Sequence, residues 1–328
     1  MIKLSIQFSM KLFGRNRKKK CQNATALEMQ NFVQKAGEMI EAQGAIREKS
    51  TIDNYRTALR SFIKYAGHDV PVGSIDGHLM EGFQRWLHSQ QIQLNTISCY
   101  MRSLRTLLHL ICPERAVSDA FGHVFTGRTT TEKRALSVEE LKSLMLLQLP
   151  DGSPLCLTRD LFLFSVYALG MPFVDIAFLR KSQLSDHYIT YSRHKTGQPI
   201  RVRIELPMQR IIDKYQHEGS AYVFPILHSD DKQAATMEYE RARARHNRLL
   251  GKLGAMAGVR RKLTSYCARH SWATMAYHAN IELSVISKAL GHTSPNTTLT
   301  YLREIDDYRI DEANSRLLQE IAIMAENQ

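Results

Sequence analysis

Residues 263–274 read Leu-Thr-Ser-Tyr-Cys-Ala-Arg-His-Ser-Trp-Ala-Thr, residues 289–295 read Ala-Leu-Gly-His-Thr-Ser-Pro, and Thr300, Tyr301 and Leu302 follow. Arg269 falls in the first turn of a helix expected over 266–278. Trp272, Ala273 and Ala276 of that helix face inward, so the base of Arg269 is anchored while its guanidinium can reach a cleft. Gly291 stops the next helix, expected over 281–290, by taking the left-handed conformation that glycine adopts cheaply. His292 is thereby placed on a tight turn. Ser294 and Pro295 look like an N-cap followed by proline at the first helical position, which sets Tyr301 about two turns along a short helix over 296–302. Arg269, His292 and Tyr301 are separated by 23 and 9 positions, and the intervening turns can fold them together.

The chemistry of the three side chains is complementary at a polyanion. A planar guanidinium binds two phosphate oxygens and stabilises charge developing on phosphorus. An imidazole exchanges a proton near neutral pH. A phenol, with a pKa near 10, is a poor nucleophile until it is positioned and relieved of its proton. Composition points the same way. The chain has 328 residues, with 44 Lys+Arg against 32 Asp+Glu for a net charge of +12. A basic excess of this size favours a polyanionic partner, nucleic acid first. Hydrophobic residues make up 44% and charged residues 23%, which is too apolar for a disordered chain and enough for two domains with their own cores. Five cysteines (Cys21, Cys99, Cys112, Cys156 and Cys267) with no CxxC pair argue against a disulfide scaffold or structural zinc and fit a reducing cytoplasm. No apolar run approaches the roughly 18 residues of a membrane span, and no secretory signal is evident, because the densest charge near the N-terminus follows the apolar part.

Outward from the motif, the rest of the chain reads mainly as helix. Residues 1–22 form a basic tail containing Arg15, Arg17, Lys18, Lys19 and Lys20. Residues 23–114 carry four amphipathic helices with short connections, a small bundle. One of them is expected to open at a capping box, Ser50 to Asp53, and to end near Gly67. Arg56, Arg60, Arg85, Arg102 and Arg105 lie off the apolar stripes and can face phosphates. The pattern lapses over 115–134, a linker. The second domain, 135–328, opens at another capping box, Ser137 to Glu140, and continues into an apolar helix over 158–167. Strands at 188–193 and 200–206 flank a turn containing Lys195. Helices follow over 208–216 and 237–253, then the motif helices, then 311–325, where Leu317, Leu318, Ile321 and Met324 share a face. The fold class is therefore mainly α with one small antiparallel sheet.

The motif set at this spacing resembles the tyrosine recombinase (phage integrase) family, and most nearly the integrases of mobile elements in Bacteroides-type bacteria, over about residues 23–328. The resemblance implies a helical-bundle, SAM-like core-binding domain at 23–114 and an α+β catalytic domain at 135–328, clamping a duplex like a C. It implies a site-specific recombinase that cleaves and rejoins DNA through a 3′-phosphotyrosine, in integration, excision or inversion of an element. Tyr301 resembles the nucleophile, Arg269 the second catalytic arginine, His292 the histidine-or-tryptophan that hydrogen-bonds the phosphate, and Lys195 the β-turn lysine that protonates the 5′-oxygen. Implied partners are double-stranded DNA, further copies forming a tetramer on two DNA sites, and an accessory DNA-bending protein. No cofactor, metal or membrane is implied, and the location is the cytoplasm, at the nucleoid. The last helix can dock on a neighbouring copy or pack on its own domain.

Two positions depart from the family pattern. Tyr266 stands where histidine is usual, and a phenol still donates a hydrogen bond to phosphate. The first catalytic arginine has no counterpart: Pro172 stands at its place in most of the family, and Leu169 at its place in the Bacteroides-type relatives. Its loss corresponds to about 10²–10³ in rate. Arg159 would lie roughly 15 Å along the helix, too far to substitute, whereas Arg180, Lys181 and Arg193 stay open. The competing readings are a degenerate recombinase that binds sites without cleaving, a type IB topoisomerase, and an unrelated basic helical DNA-binding protein.

Overall fold

A computed structural model describes residues 29–113, 118–129, 135–292, 295–299, 314–315 and 317–319. The chain forms two compact units that divide between Thr131 and Glu132. The basic tail and the face of the last expected helix lie outside the described residues, apart from exposed Leu317 and Leu318.

In the first unit, helices α1 (Phe32–Gln43), α2 (Lys49–Ala66), α3 (Gly77–Ser89) and α4 (Leu94–Ile111) bury their apolar stripes against one another. Their core is held by edge-on aromatic contacts, Phe32 on Phe62 at 5.7 Å and Phe62 on Phe83 at 5.4 Å, and Trp86 stacks on Phe83 at 6.0 Å. Helix α2 does not open at Ser50. Glu48 is its N-cap residue and makes no side-chain cap, so Ser50 already lies inside the first turn and its hydroxyl is misplaced for capping. The other end is as expected: Gly67 takes φ +73° and its N–H closes on the Ile63 carbonyl. The N-terminus of α1 is satisfied from a distance, by Asp69, whose carboxylate accepts from the Val33 and Gln34 amides at 2.8 and 3.1 Å.

Inside the stretch read as a linker, a short helix α5 (Ser118–Phe121) brings Ala120, Phe121 and Val124 into the first unit's core. The chain beyond it is pinned by side chains of α3 and α4. Gln84 accepts from the Phe125 amide at 2.6 Å, and the Ser98 hydroxyl donates to the Gly127 carbonyl at 2.6 Å. Asn95 both donates to the Thr129 carbonyl and accepts from its amide, at 3.1 and 3.0 Å.

The second unit is built around α7 (Pro154–Tyr167), which follows α6 (Val138–Met145). Helix α6 opens with the expected capping box, Ser137 accepting from the Glu140 amide and Glu140 from the Ser137 amide. Helix α7 starts four residues before the expected 158, with Ser153 as cap and Pro154 at its first position. It is apolar on every side because it is packed on every side. Its buried carboxylate, Asp160, is bonded by Arg159, Lys214 and Tyr215 at 2.9, 3.0 and 2.7 Å. Burial alone would push that carboxyl up, but these three donors outweigh it and hold it below the usual carboxylate range.

A five-residue helix, α8 (Phe173–Ala177), precedes an antiparallel sheet of β1 (Leu184–Ser185), β2 (Tyr188–Ser192) and β3 (Pro199–Arg203), in that order. Ile189 pairs with Val202 and Tyr191 with Ile200, so the inward set alternates with exposed residues. Then come α9 (Leu206–Tyr215), α10 (Lys232–Met256), α11 (Ser265–His278), α12 (Leu283–Ala289) and α13 (Pro295–Leu299). The mainly helical architecture with one small antiparallel sheet is the one expected, while α8 and β1 are additions. Among the described residues no helix is long and apolar enough to cross a membrane.

Phe83 touches three aromatic neighbours, so Phe83→Ala is expected to cost about 3–5 kcal/mol. Urea unfolding followed by Trp86 fluorescence, in a Trp272→Phe background so that the signal comes from the first unit alone, checks this.

Candidate active site

Four elements of the second unit deliver side chains or carbonyls to one place: the turn after α7, the end of β2, helix α11, and the turn between α12 and α13. Arg269, on α11, is 2% exposed. It donates to the Gly170 carbonyl at 3.0 Å and to the Leu290 carbonyl, and its Nη2 also meets His292 Nε2 at 3.2 Å. The Gly170 carbonyl is available because Leu169 and Gly170 are both left-handed, at φ +58° and +71°, which bends the chain sharply off α7. Side chain and backbone of the turn lock together, Ser165 Oγ donating to the Met171 carbonyl at 2.6 Å. A Cβ on Gly170 would lie 2.9 Å from Arg269 Cα, so only glycine lets α11 approach this closely.

Arg193 arrives from the opposite side. It directly follows β2, is 8% exposed, and its Nη1 donates to the Leu290 and Gly291 carbonyls at 2.9 and 3.2 Å. Two guanidinium groups therefore share the Leu290 carbonyl. Gly291 makes room: it is left-handed at φ +61°, and a Cβ there would meet Ile200 Cδ1 at 2.8 Å and Arg193 Cδ at 3.2 Å. The Arg193 backbone starts the hairpin turn, its carbonyl accepting from Gly197 and its amide donating to Gln198. Lys195 is exposed on that turn, two residues along. The turn is steadied by buried Asp175 of α8, which accepts from the His194 amide at 2.9 Å, and by the His194 ring stacked on Phe178. Burial raises the Asp175 carboxyl, against the His194 amide and the nearby Arg193 and Arg269.

The tautomer of His292 follows from its partners. Guanidinium has donors only, so Nε2 accepts from Arg269 and the ring proton sits on Nδ1, donating to Thr298 Oγ1 at 2.8 Å. Protonating Nε2 would set N–H against N–H. Burial first, then the charges of Arg269, Arg193 and Lys195, lower the imidazole pKa to about 4. The site is thus a desolvated cluster of fixed positive charge with a neutral imidazole, suited to receive an anion whose charge grows during reaction.

Of the expected site residues, Arg269 and His292 are in direct contact, and Lys195 lies within electrostatic reach of His292. Tyr266 is exposed in the first turn of α11, its ring edge-on to His270 at 4.7 Å. Tyr301 and Ser294 lie outside the described residues; Thr298, the hydroxyl that meets His292, is three positions before Tyr301. Arg159, set aside on distance, and the three cations left open separate clearly. Arg159 is bonded to Asp160 and the Leu147 carbonyl, Arg180 to Asp230, and Lys181 to the His217 carbonyl. Arg193 alone of these four is bonded in the site. Asp175, Thr298 and the Gly170 carbonyl are contributors that sequence reasoning missed; the signal for Asp175 was a carboxylate inside the apolar run 173–177.

The Phage integrase SAM-like domain profile matches residues 15–115, and the Phage integrase family profile matches residues 134–307. Among curated proteins, the tyrosine recombinase XerD of Listeria monocytogenes is 23% identical over 267 residues, covering 77% of this chain and 87% of its own. The tyrosine recombinase XerC of Syntrophus aciditrophicus is 24% identical over 273 residues, covering 76% and 86%. Among solved structures, the Tn1549 transposon integrase in complex with transposon right end DNA superposes with a TM-score of 0.68 at 12% identity, covering 88% of this chain and 99% of that one. A lambda integrase dimer bound to a COC′ core site gives 0.66 at 14% identity, covering 84% and 98%. At these identities the structural likeness shows the fold.

Two outcomes are expected from the geometry. Gly291→Ala should destabilise the second unit by about 1–2 kcal/mol from the left-handed backbone alone, read as a lowered melting temperature. For His292, the folded pKa near 4 lies below the unfolded value of 6.5. The unfolded chain therefore binds the proton first, and the stability present above pH 6.5 is lost as pH falls from 6.5 towards 4. Urea denaturation at pH 7, 5.5 and 4 should show a larger loss in wild type than in His292→Gln.

Proposed function

The chain belongs to the phage integrase family, and on that premise we propose that it is a site-specific DNA recombinase that cuts and rejoins strands through a 3′-phosphotyrosine on Tyr301. The observation that carries the proposal is the convergence of Arg193, Arg269 and His292 on the Leu290–Gly291 turn, with Lys195 on the same hairpin as Arg193. On this reading the two guanidinium groups and the His292 ring hold the non-bridging oxygens of the scissile phosphate. The Tyr301 oxygen attacks phosphorus as its phenolic proton passes to water, the bond from phosphorus to the 5′-oxygen breaks, and the 5′-oxygen leaves with a proton from Lys195. Religation runs the steps backwards with a 5′-hydroxyl as nucleophile. One phosphodiester is exchanged for a phosphotyrosine and then restored, so the bond energy is conserved without a nucleotide cofactor.

Arg193 takes over the work of the missing first arginine. It reaches the carbonyl that Arg269 also uses, while Arg159, Arg180 and Lys181 are bonded elsewhere. Tyr266 has a smaller share, as a phenolic donor at the edge of the site. The core-binding domain, expected over 23–114, falls in the first unit, which continues through α5 as far as Thr131, and the catalytic domain, expected over 135–328, falls in the second. The partner is double-stranded DNA, gripped through phosphates with strongly salt-dependent affinity. A tetramer on two sites is supported by the likeness to a lambda integrase tetramer bound to a Holliday junction, and an accessory DNA-bending protein is a further partner on this reading. By its motifs the chain resembles the Bacteroides-type mobile-element integrases. A degenerate, binding-only protein is the second reading, favoured by Leu169 and Pro172 where arginine is usual.

Nicked suicide DNA tiled across the gene's own flanks separates the two. Wild type should give a DNA-shifted band on a denaturing gel, absent in Tyr301→Phe; sequence-specific binding without any covalent band would establish the binding-only reading. Arg193→Gln should lower the trapping rate by about 10²–10³, and Leu169→Arg in that background should recover part of it. Unchanged trapping in Arg193→Gln would remove Arg193 from the site.

A further inference from the structure

A cavity of about 890 Å³ lies inside the second unit, between α7, the end of α9, the segment 225–228 and one face of α10. A space of this size takes a drug-sized molecule. None of Arg193, Lys195, Arg269 or His292 lines it, so it is separate from the candidate phosphate site. Much of its wall is aliphatic, with Leu157, Leu161, Ile226 and Leu249. One polar side chain is set among them. His246 lines the cavity and is 5% exposed. Its ring lies flat on Phe173, with centroids 4.1 Å and planes 14° apart, so one face is covered and the edge carries both nitrogens. Burial pushes its pKa down to about 3, which keeps the ring neutral, one nitrogen a donor and the other an acceptor. Neither nitrogen has a hydrogen-bond partner among the described residues, although buried polar groups ordinarily have one.

The charged groups around the cavity do not cancel. Lys214 is committed to Asp160 and Asp151, at 3.0 and 3.4 Å. The Glu238 carboxylate accepts from the His228 and Ser229 amides at 2.7 and 3.4 Å. Arg241 and Arg245 are left over. They line the cavity one turn apart on α10, both are exposed, and neither makes an ion pair among the described residues. The cavity thus joins an aliphatic interior to a buried imidazole with unmet hydrogen bonds and to two guanidinium groups, which grip a carboxylate through paired N–H donors.

We propose that this cavity binds a small organic anion: an apolar body filling the aliphatic space, a carboxylate held by Arg241 and Arg245, and a hydroxyl at the far end paired with His246. The site does not rest on the recombinase reading, because it uses none of the residues assigned to the phosphate.

The test is isothermal titration calorimetry of the full-length chain with a hydroxynaphthoate that carries its hydroxyl and carboxylate at opposite ends of the fused rings. Naphthoate lacks the hydroxyl, and naphthol lacks the carboxylate. The hydroxynaphthoate should bind one per chain, and each of the other two about tenfold more weakly. His246→Phe should weaken the hydroxynaphthoate about tenfold, to the level of naphthoate, while leaving naphthoate itself within about twofold. The double variant Arg241→Gln, Arg245→Gln should bring the hydroxynaphthoate down to the level of naphthol. Both of those positions are exposed, so this arm decides the matter if the buried substitution fails to fold. No heat of binding up to about 1 mM, equal affinity for all three compounds, or affinity unmoved by the variants would overturn the site. Trapping of DNA by the same protein is read separately, so either conclusion can fail without the other.

Discussion

One backbone carbonyl, that of Leu290, accepts from Arg193 and Arg269 at once, and the second unit is arranged to make that sharing possible. Two guanidinium groups this close repel, and each is nearly removed from water. The carbonyls of Gly170, Leu290 and Gly291 offset the cost, together with the buried carboxylate of Asp175. The left-handed turn at 169–170 aims the first of these carbonyls, and the turn at Gly291 presents the others. Helix α11 can approach because Gly170 has no Cβ. The arrangement is in place before any anion arrives, so no reorganisation is needed when charge develops on one.

The same balance explains the neutral imidazole. A protonated His292 would add another positive charge and lose its acceptor for Arg269. Held neutral, it ties α11 to α13 through Arg269 on one ring nitrogen and Thr298 on the other. In the proposed reaction the proton therefore comes from a group outside the desolvated cluster, Lys195 on its exposed turn.

What could be read from the sequence was local. Gly67, the Ser137 box, the Gly291 stop and the β2–β3 hairpin each depend on residues within a few positions, and each appears where expected. The Ser50 box failed although it has the right letters, because α2 begins two residues earlier and leaves the hydroxyl inside the helix. Contributors whose partners lie far along the chain were not legible. Asp69 caps a helix 35 and 36 residues away, and Arg193 finds its carbonyls 97 and 98 residues away. Spacing around Arg269, His292 and Tyr301 could announce a site, but the approach of Arg193 to the Leu290 and Gly291 carbonyls emerges only once the hairpin is folded against the end of α12. Helix α8 and strand β1 are too short for any periodicity to register.

The contact between Gly291 and Ile200 has a consequence for variation among related chains. The Ile200 Cδ1 methyl fills the space that a side chain at 291 would need, so the two positions make one choice between them. An alanine at 291 calls for valine or a smaller residue at 200, and it still bears the left-handed backbone and the Arg193 Cδ contact at 3.2 Å. Substitutions at these positions, 91 residues apart and on different elements, should therefore appear in pairs.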